Sequence, residues 1–150
     1  MSTGPDASEQ DAYQELQCYT LAHGDPAFLH QHVLDAWVAQ HAGAATKPIG
    51  LTFALAGLYL HVDCGFSGRQ VQRAHMTLGQ RKRAWPTFVL PVERGAVRVR
   101  QVLAAPPGAA RDRAIKAWCG SVWGAFHDSR TTIAALLQEY DIWPSRNGRS

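Results

Sequence analysis

Apolar positions recur at helical spacing along most of the chain. Tyr13, Leu16, Tyr19 and Thr20 lie on one stripe, with His23 on the same line, and predict a first helix from about Ser8 to Ala22. Gly24, Asp25 and Pro26 then supply a helix stop, a cap and a first-position proline. A second helix is expected over Pro26 to Ala42, with Val33, Leu34 and Trp37 on one face and Leu29 and Val38 at its margins. His30 and His41 share that face, whereas His32 and Asp35 point away from it. After a short loop, Pro48 opens a third helix that is apolar nearly all round and should be central, ending near Asp63. Ser67 with Gln70 forms a capping box for a fourth helix, whose stripe is Val71, Ala74, His75 and Leu78.

Between residues 84 and 108 the periodicity breaks. Pro86, Pro91, Pro106, Pro107, Gly95 and Gly108 predict an irregular crossing, in which residues 96–105 fit either a short strand or a helical turn. A helix from Ala109 to Phe126 carries Ile115, Trp118 and Val122, and Asp128 or Ser129 restarts a last helix with Ile133, Leu136, Leu137 and Tyr140. Trp143 is a candidate to pack back from the C-terminal tail. Short early connections imply antiparallel neighbours, so the pattern predicts an all-α, single-domain bundle of five or six helices over residues 9–143, with flexible tails at 1–8 and 144–150.

Composition agrees with that reading. The chain has 150 residues, 46% hydrophobic and 18% charged, long enough for one core and too apolar for a disordered segment. The opening MSTGPDASEQ has neither the basic nor the apolar region of a secretory signal. The longest apolar run, Ile49 to Val62, has 14 residues and falls short of the roughly 20 that span a bilayer. Cys18, Cys64 and Cys119 are isolated and read as reduced thiols, which places the protein in the cytoplasm.

The formal charge of +3 conceals a division. Residues 1–68 carry a net −6, residues 69–116 a net +9 and the remainder zero. The densest basic point is Arg81, Lys82 and Arg83 beside Trp85. Guanidinium groups fork to phosphates and a tryptophan can stack a base, so this segment is a candidate contact for nucleic acid or another anion. Basic residues also favour the last turn of a helix, which makes a solvated helix end the stronger reading. Association between acidic and basic faces, including in a homo-oligomer, is a third option.

Seven histidines supply the remaining chemistry. His30 and His32 are about 200° apart on a helix and do not easily share one ion. Antiparallel packing of the first three helices would instead gather His23, His30 and His61 at one end, with Asp63 and Cys64 at the rim, as a site for a divalent transition metal. His41 lies about 16 Å along the helix from His30 and would form a second polar spot with Gln40. The bland alternative is histidines packed near the core and hydrogen-bonded to carbonyls or carboxylates. No HExxH pair, phosphate-binding glycine loop or GxSxG elbow occurs.

The stretch HQHVLDAWVAQH, together with the preceding DPAF, resembles an uncharacterised bacterial family of unknown function. That family carries a helix of the form H-x-x-x-x-D-x-aromatic-x-x-Q-H, matched here by His30, Asp35, Trp37, Gln40 and His41. The likeness covers about residues 12–64 and extends more weakly through WCGSVW. The CPxCG-like cysteine pair of many members is missing here, and with it any N-terminal metal knuckle. The resemblance implies no reaction. It selects His30, Asp35, Gln40 and His41 as candidate pocket residues, with Asp35 and Gln40 on different sides of the helix. The leading expectation is therefore a His/Asp-lined polar or metal-binding pocket in the first three helices. Anion binding through residues 69–100 and a homo-oligomer without chemistry are the alternatives.

Overall fold

The computed structural model describes residues 7–22 and 28–142. Among them are seven α-helices and no strand: α1 (Ala7–Ala22), α2 (Leu29–Gln40), α3 (Pro48–Leu58), α4 (Gly68–Leu78), α5 (Val99–Ala104), α6 (Ala109–Ala125) and α7 (Arg130–Glu139). A π-helical turn, Tyr59–Asp63, prolongs α3, and a 3₁₀ turn, His127–Ser129, leads into α7. The fold is all-α, as the periodicity predicts. Five or six helices were expected, and α5 is the addition: the segment readable as strand or turn is helical. Its Val99 and Val102 are both buried, at the spacing a single helical face requires.

The second helix starts at Leu29 rather than Pro26. Phe28 has φ 59° and ψ 55°, a left-handed conformation that an α-helix cannot run through. The Gly24-Asp25-Pro26 punctuation lies outside the described residues, as do His23 and Trp143. The capping box of α4 forms as expected, with Ser67 Oγ accepting from Gln70 N and Gln70 Oε1 accepting from Ser67 N.

The buried residues form one connected core, with Trp118, Phe126, Leu16, Leu55 and Leu58 among its largest members. Helix α3 is buried nearly all round, as expected. It shares the centre with α2, which packs against α1, α3, α4 and α6. This covering corrects the expected orientation of His32 and Asp35: both are buried, because α3 closes one side of α2 and α6 another. Small partners permit the close approach. Gly57 of α3 lies directly against Asp35, and a Cβ there would stand 1.9 Å from Asp35 Oδ2.

Arginines from the basic segment close several helices from outside. Arg94 Nη1 donates to the carbonyls of Ala39, Gln40 and Ala42 at 3.3, 3.3 and 2.9 Å, at the end of α2. Arg111 reaches the carbonyls of Leu103 and Ala105 at the end of α5. Arg81 reaches that of Glu139 at the end of α7. None of these helices has a basic residue in its own last turn. The macrodipole and the unpaired terminal carbonyls are thus met by a cation from outside the helix, distant in sequence for α2 and α7 and from the start of the next helix for α5. Three of the eleven basic residues of that segment are used in this way.

Candidate functional site

Helix α2 carries two polar regions of opposite character. At its C-terminal end, Gln40 is buried and fully used. Its Oε1 accepts from Trp118 Nε1 at 2.9 Å, while its Nε2 donates to Val97 O at 2.8 Å and Arg94 O at 3.3 Å. His41 Nδ1 lies 3.1 Å from Trp37 O, and its Nε2 lies 3.2 Å from Glu9 Oε1. Both ring nitrogens thus face oxygen atoms of the protein. Glu9 also receives Arg98, through Nη2 at 2.8 Å and Nε at 3.0 Å. The Arg98 hydrogen bond leads the effects that hold the Glu9 carboxyl below its ordinary pKa, against the opposing effect of burial. Trp37 stacks on Tyr13 at 4.1 Å, and the His41 ring lies 3.8 Å from it at a 38° tilt. An open cleft of about 640 Å³ adjoins Glu9 and Arg98, but the acid and guanidinium at its edge already satisfy each other.

The second region is a polar seam where α2, α3 and α6 meet. Asp35 is 4% exposed; its Oδ1 accepts from Gln31 Nε2 at 3.1 Å, and its Oδ2 has no hydrogen-bond partner. Burial drives its pKa well above the ordinary carboxylate value, against the opposing Gln31 bond. Asp35 is therefore harder to ionise than an ordinary carboxylic acid, and it keeps an unmatched oxygen. Burial, assisted by the Asp35 carboxylate, pushes the Tyr13 phenol up to about 12, and the same two causes raise the buried Cys119 thiol. One turn before Asp35, the His32 ring stacks on His61 with centroids 3.5 Å apart and an 18° angle between planes. Burial, then the charges of His61 and Lys116, lower the His32 pKa to about 3. Burial also lowers that of His61, whose Nδ1 donates to Phe66 O at 3.1 Å. The π-turn sets that ring, and such turns recur at functional sites.

The expected metal set is not gathered as a unit. His23 lies outside the described residues. His30 Nδ1 is 2.9 Å from Thr20 Oγ1, whose own proton goes to Gln17 O, so the His30 Nδ1 carries the hydrogen. Asp63 Oδ2 accepts from Arg130 Nε at 2.8 Å. The ring that meets His61 is His32. Among the described residues, no three His, Cys, Asp or Glu side chains are placed to hold one metal ion. The stacked His32 and His61 rings direct their lone pairs along nearly parallel planes, and an ion cannot lie in both.

The basic point is partly occupied as well. Arg83 Nη1 bonds both carboxylate oxygens of Glu139, at 3.3 and 3.2 Å, and Trp85 meets Phe53 edge-on at 5.5 Å. Of the five positions in the α2 motif, Trp37, Gln40, His41 and His30 have packing or hydrogen-bond explanations. Asp35 alone keeps an unsatisfied atom. Sequence reasoning missed His32, Gly57 and Cys119 as its surroundings. One signal was present: His32, Asp35, Ala36 and Ala39 follow i, i+3, i+4, i+7 spacing, and small residues on such a stripe mark a close helical neighbour.

The chain belongs to DUF5946, a family of unknown function, which matches residues 5–127. No curated protein and no solved structure matches it.

Proposed function

We propose that this member of the DUF5946 family binds a small polar ligand in the α2–α3–α6 seam, with Asp35 at the blind end and the His32–His61 stack towards the surface. The observation that carries this reading is the unpartnered Asp35 Oδ2, buried where an ordinary side chain would be satisfied. An acid whose burial favours the protonated form can donate to a ligand carbonyl. It can equally ionise against a ligand amine, releasing a proton as the ligand binds. Of the neutral imidazoles, His32 adds a donor and an acceptor, whereas His61, whose N–H goes to Phe66 O, adds an acceptor. A divalent transition metal remains within the reading only if the His32 and His61 rings rotate out of their stack. Among the described residues no helix is long and apolar enough to cross a membrane, and the three free cysteines suit the reducing cytoplasm. A homo-oligomer without chemistry has no specific observation in its favour.

The test is amide NMR of the full chain, titrated with Zn²⁺, Ni²⁺ and a fragment set of amines and amides. Shifts confined to residues around Asp35, His32, Gly57 and Cys119 are expected for a binding probe, and Asp35→Asn should abolish them while leaving the protein folded. Probes that never perturb the seam, or that bind Asp35→Asn unchanged, would sink the reading.

A further inference from the structure

The end of α7 presents a second unmatched polar group, in different company. Tyr140 is 7% exposed and its hydroxyl has no hydrogen-bond partner. The Arg81 guanidinium lies over its ring at 4.1 Å, and that of Arg83 lies 6.0 Å from the same ring centre. Arg81 donates to the carbonyl of Glu139, which offsets the negative pole of α7. Lys82 stands between the two arginines in an exposed stretch.

Counting donors against acceptors gives the inference. Two guanidiniums and a phenolic O–H meet here, and the acceptors that engage the guanidiniums are the Ala84 carbonyl, the Glu139 carbonyl and the Glu139 carboxylate. Among the described residues the carboxylate is held by Arg83 alone, and its side chain is 54% exposed. An exposed pair of this kind contributes little, and its carboxylate is easily exchanged. The cluster has more donors than its own chain satisfies, all suited to an oxyanion.

We infer that Arg81, Arg83 and Tyr140 form a binding site for a phosphate-type oxyanion, in which the Glu139 carboxylate is an internal occupant that the ligand displaces. A tetrahedral oxyanion offers several acceptor oxygens, enough for both guanidiniums and the Tyr140 hydroxyl together. When Glu139 swings out, Arg83 is released to the ligand. The phosphate can belong to a free phosphate or phosphomonoester or to a nucleic-acid strand, since the recognising chemistry is the same. This site is separate from the Asp35 seam and stands or falls independently of it.

The experiment is titration calorimetry on the full chain at low salt, with inorganic phosphate in one arm and a single-stranded oligonucleotide in the other. Wild type should bind phosphate weakly. Glu139→Gln, which removes the internal competitor, should tighten binding by about threefold or more, and Arg83→Gln should abolish it. Tyr140→Phe should weaken binding by about threefold or more, because it deletes a hydroxyl that lies beside Arg83 and is a donor to the oxyanion. Oligonucleotide binding no tighter than phosphate identifies a small phosphate; binding at least about a hundredfold tighter, lost in Arg83→Gln, identifies a strand. Failure of both probes to bind wild type, or affinity indifferent to Glu139→Gln and Tyr140→Phe, overturns the site.

Discussion

The two polar regions of α2 are built from the same residue types and differ in one respect. At the Gln40–His41 end, each polar atom described has a partner: Gln40 joins Trp118 to residues 94–97, and His41 joins Trp37 to Glu9. In the seam one turn earlier, Asp35 keeps a buried oxygen without one. A satisfied buried network rigidifies a fold and explains its own presence. An unsatisfied buried acid lowers stability, and residues of that kind concentrate where function requires them. Polar residues on one helix thus divide into architecture and candidate function by hydrogen-bond completeness, a distinction that residue type alone does not make.

Acidification applies the largest stress to this contrast. His32 titrates at about 3 in the fold against an ordinary 6.5, and His30, His61 and His75 are lowered too, each chiefly by burial. Between those limits the unfolded chain's histidines bind protons that the folded chain's refuse, so their contribution to stability is complete above pH 6.5 and falls as the pH drops towards 3. Urea midpoints measured from pH 8 to pH 4 should decline steadily below 6.5. A flat profile there would mean that the histidines are not held neutral.

Gln40→Ala attacks the satisfied region. It orphans the buried Trp118 N–H and the carbonyls of Arg94 and Val97, and should cost about 2–4 kcal/mol in urea unfolding. A loss below about 1 kcal/mol would remove the architectural reading of that end. Gly57→Ala attacks the seam by volume, forcing a methyl group against Asp35 Oδ2 and against Val71 Cγ1 at 3.1 Å. A destabilisation of about 1–3 kcal/mol is expected, with the double variant Gly57→Ala, Asp35→Ala recovering part of it. Absence of recovery would show that the two positions do not press on each other.

Asp35→Asn should have the smallest effect on the free protein and the most informative sign. The folded acid stays neutral above its ordinary 3.8, so the unfolded chain gains by ionising as the pH rises. The amide cannot ionise in either state. The variant should therefore match or exceed wild type in stability at pH 8, and its advantage should shrink towards pH 4. A clear loss of stability at pH 8 would place Asp35 with Gln40, as architecture.

Much of the fold is legible in the sequence because it rests on local periodicity and local capping. The stripes of α4, α6 and α7, the apolar circumference of α3 and the Ser67–Gln70 box all follow from residues a few positions apart. The short α5 was ambiguous, since six residues carry too little pattern to separate a helical turn from a strand. The start of α2 was misjudged because the left-handed Phe28 is not a residue that advertises that conformation.

The candidate sites were legible only in part. By itself the sequence determined the helices, the division of charge and the short set of residues worth testing, among them Asp35, Arg81 and Arg83. Tertiary structure decided which of them have partners. Arg94 closing α2, Glu9 reaching both His41 and Arg98, and Gly57 meeting Asp35 are contacts between residues 22 to 89 positions apart. Whether a buried donor or acceptor is satisfied depends on what the rest of the chain brings to it, and no local pattern carries that information.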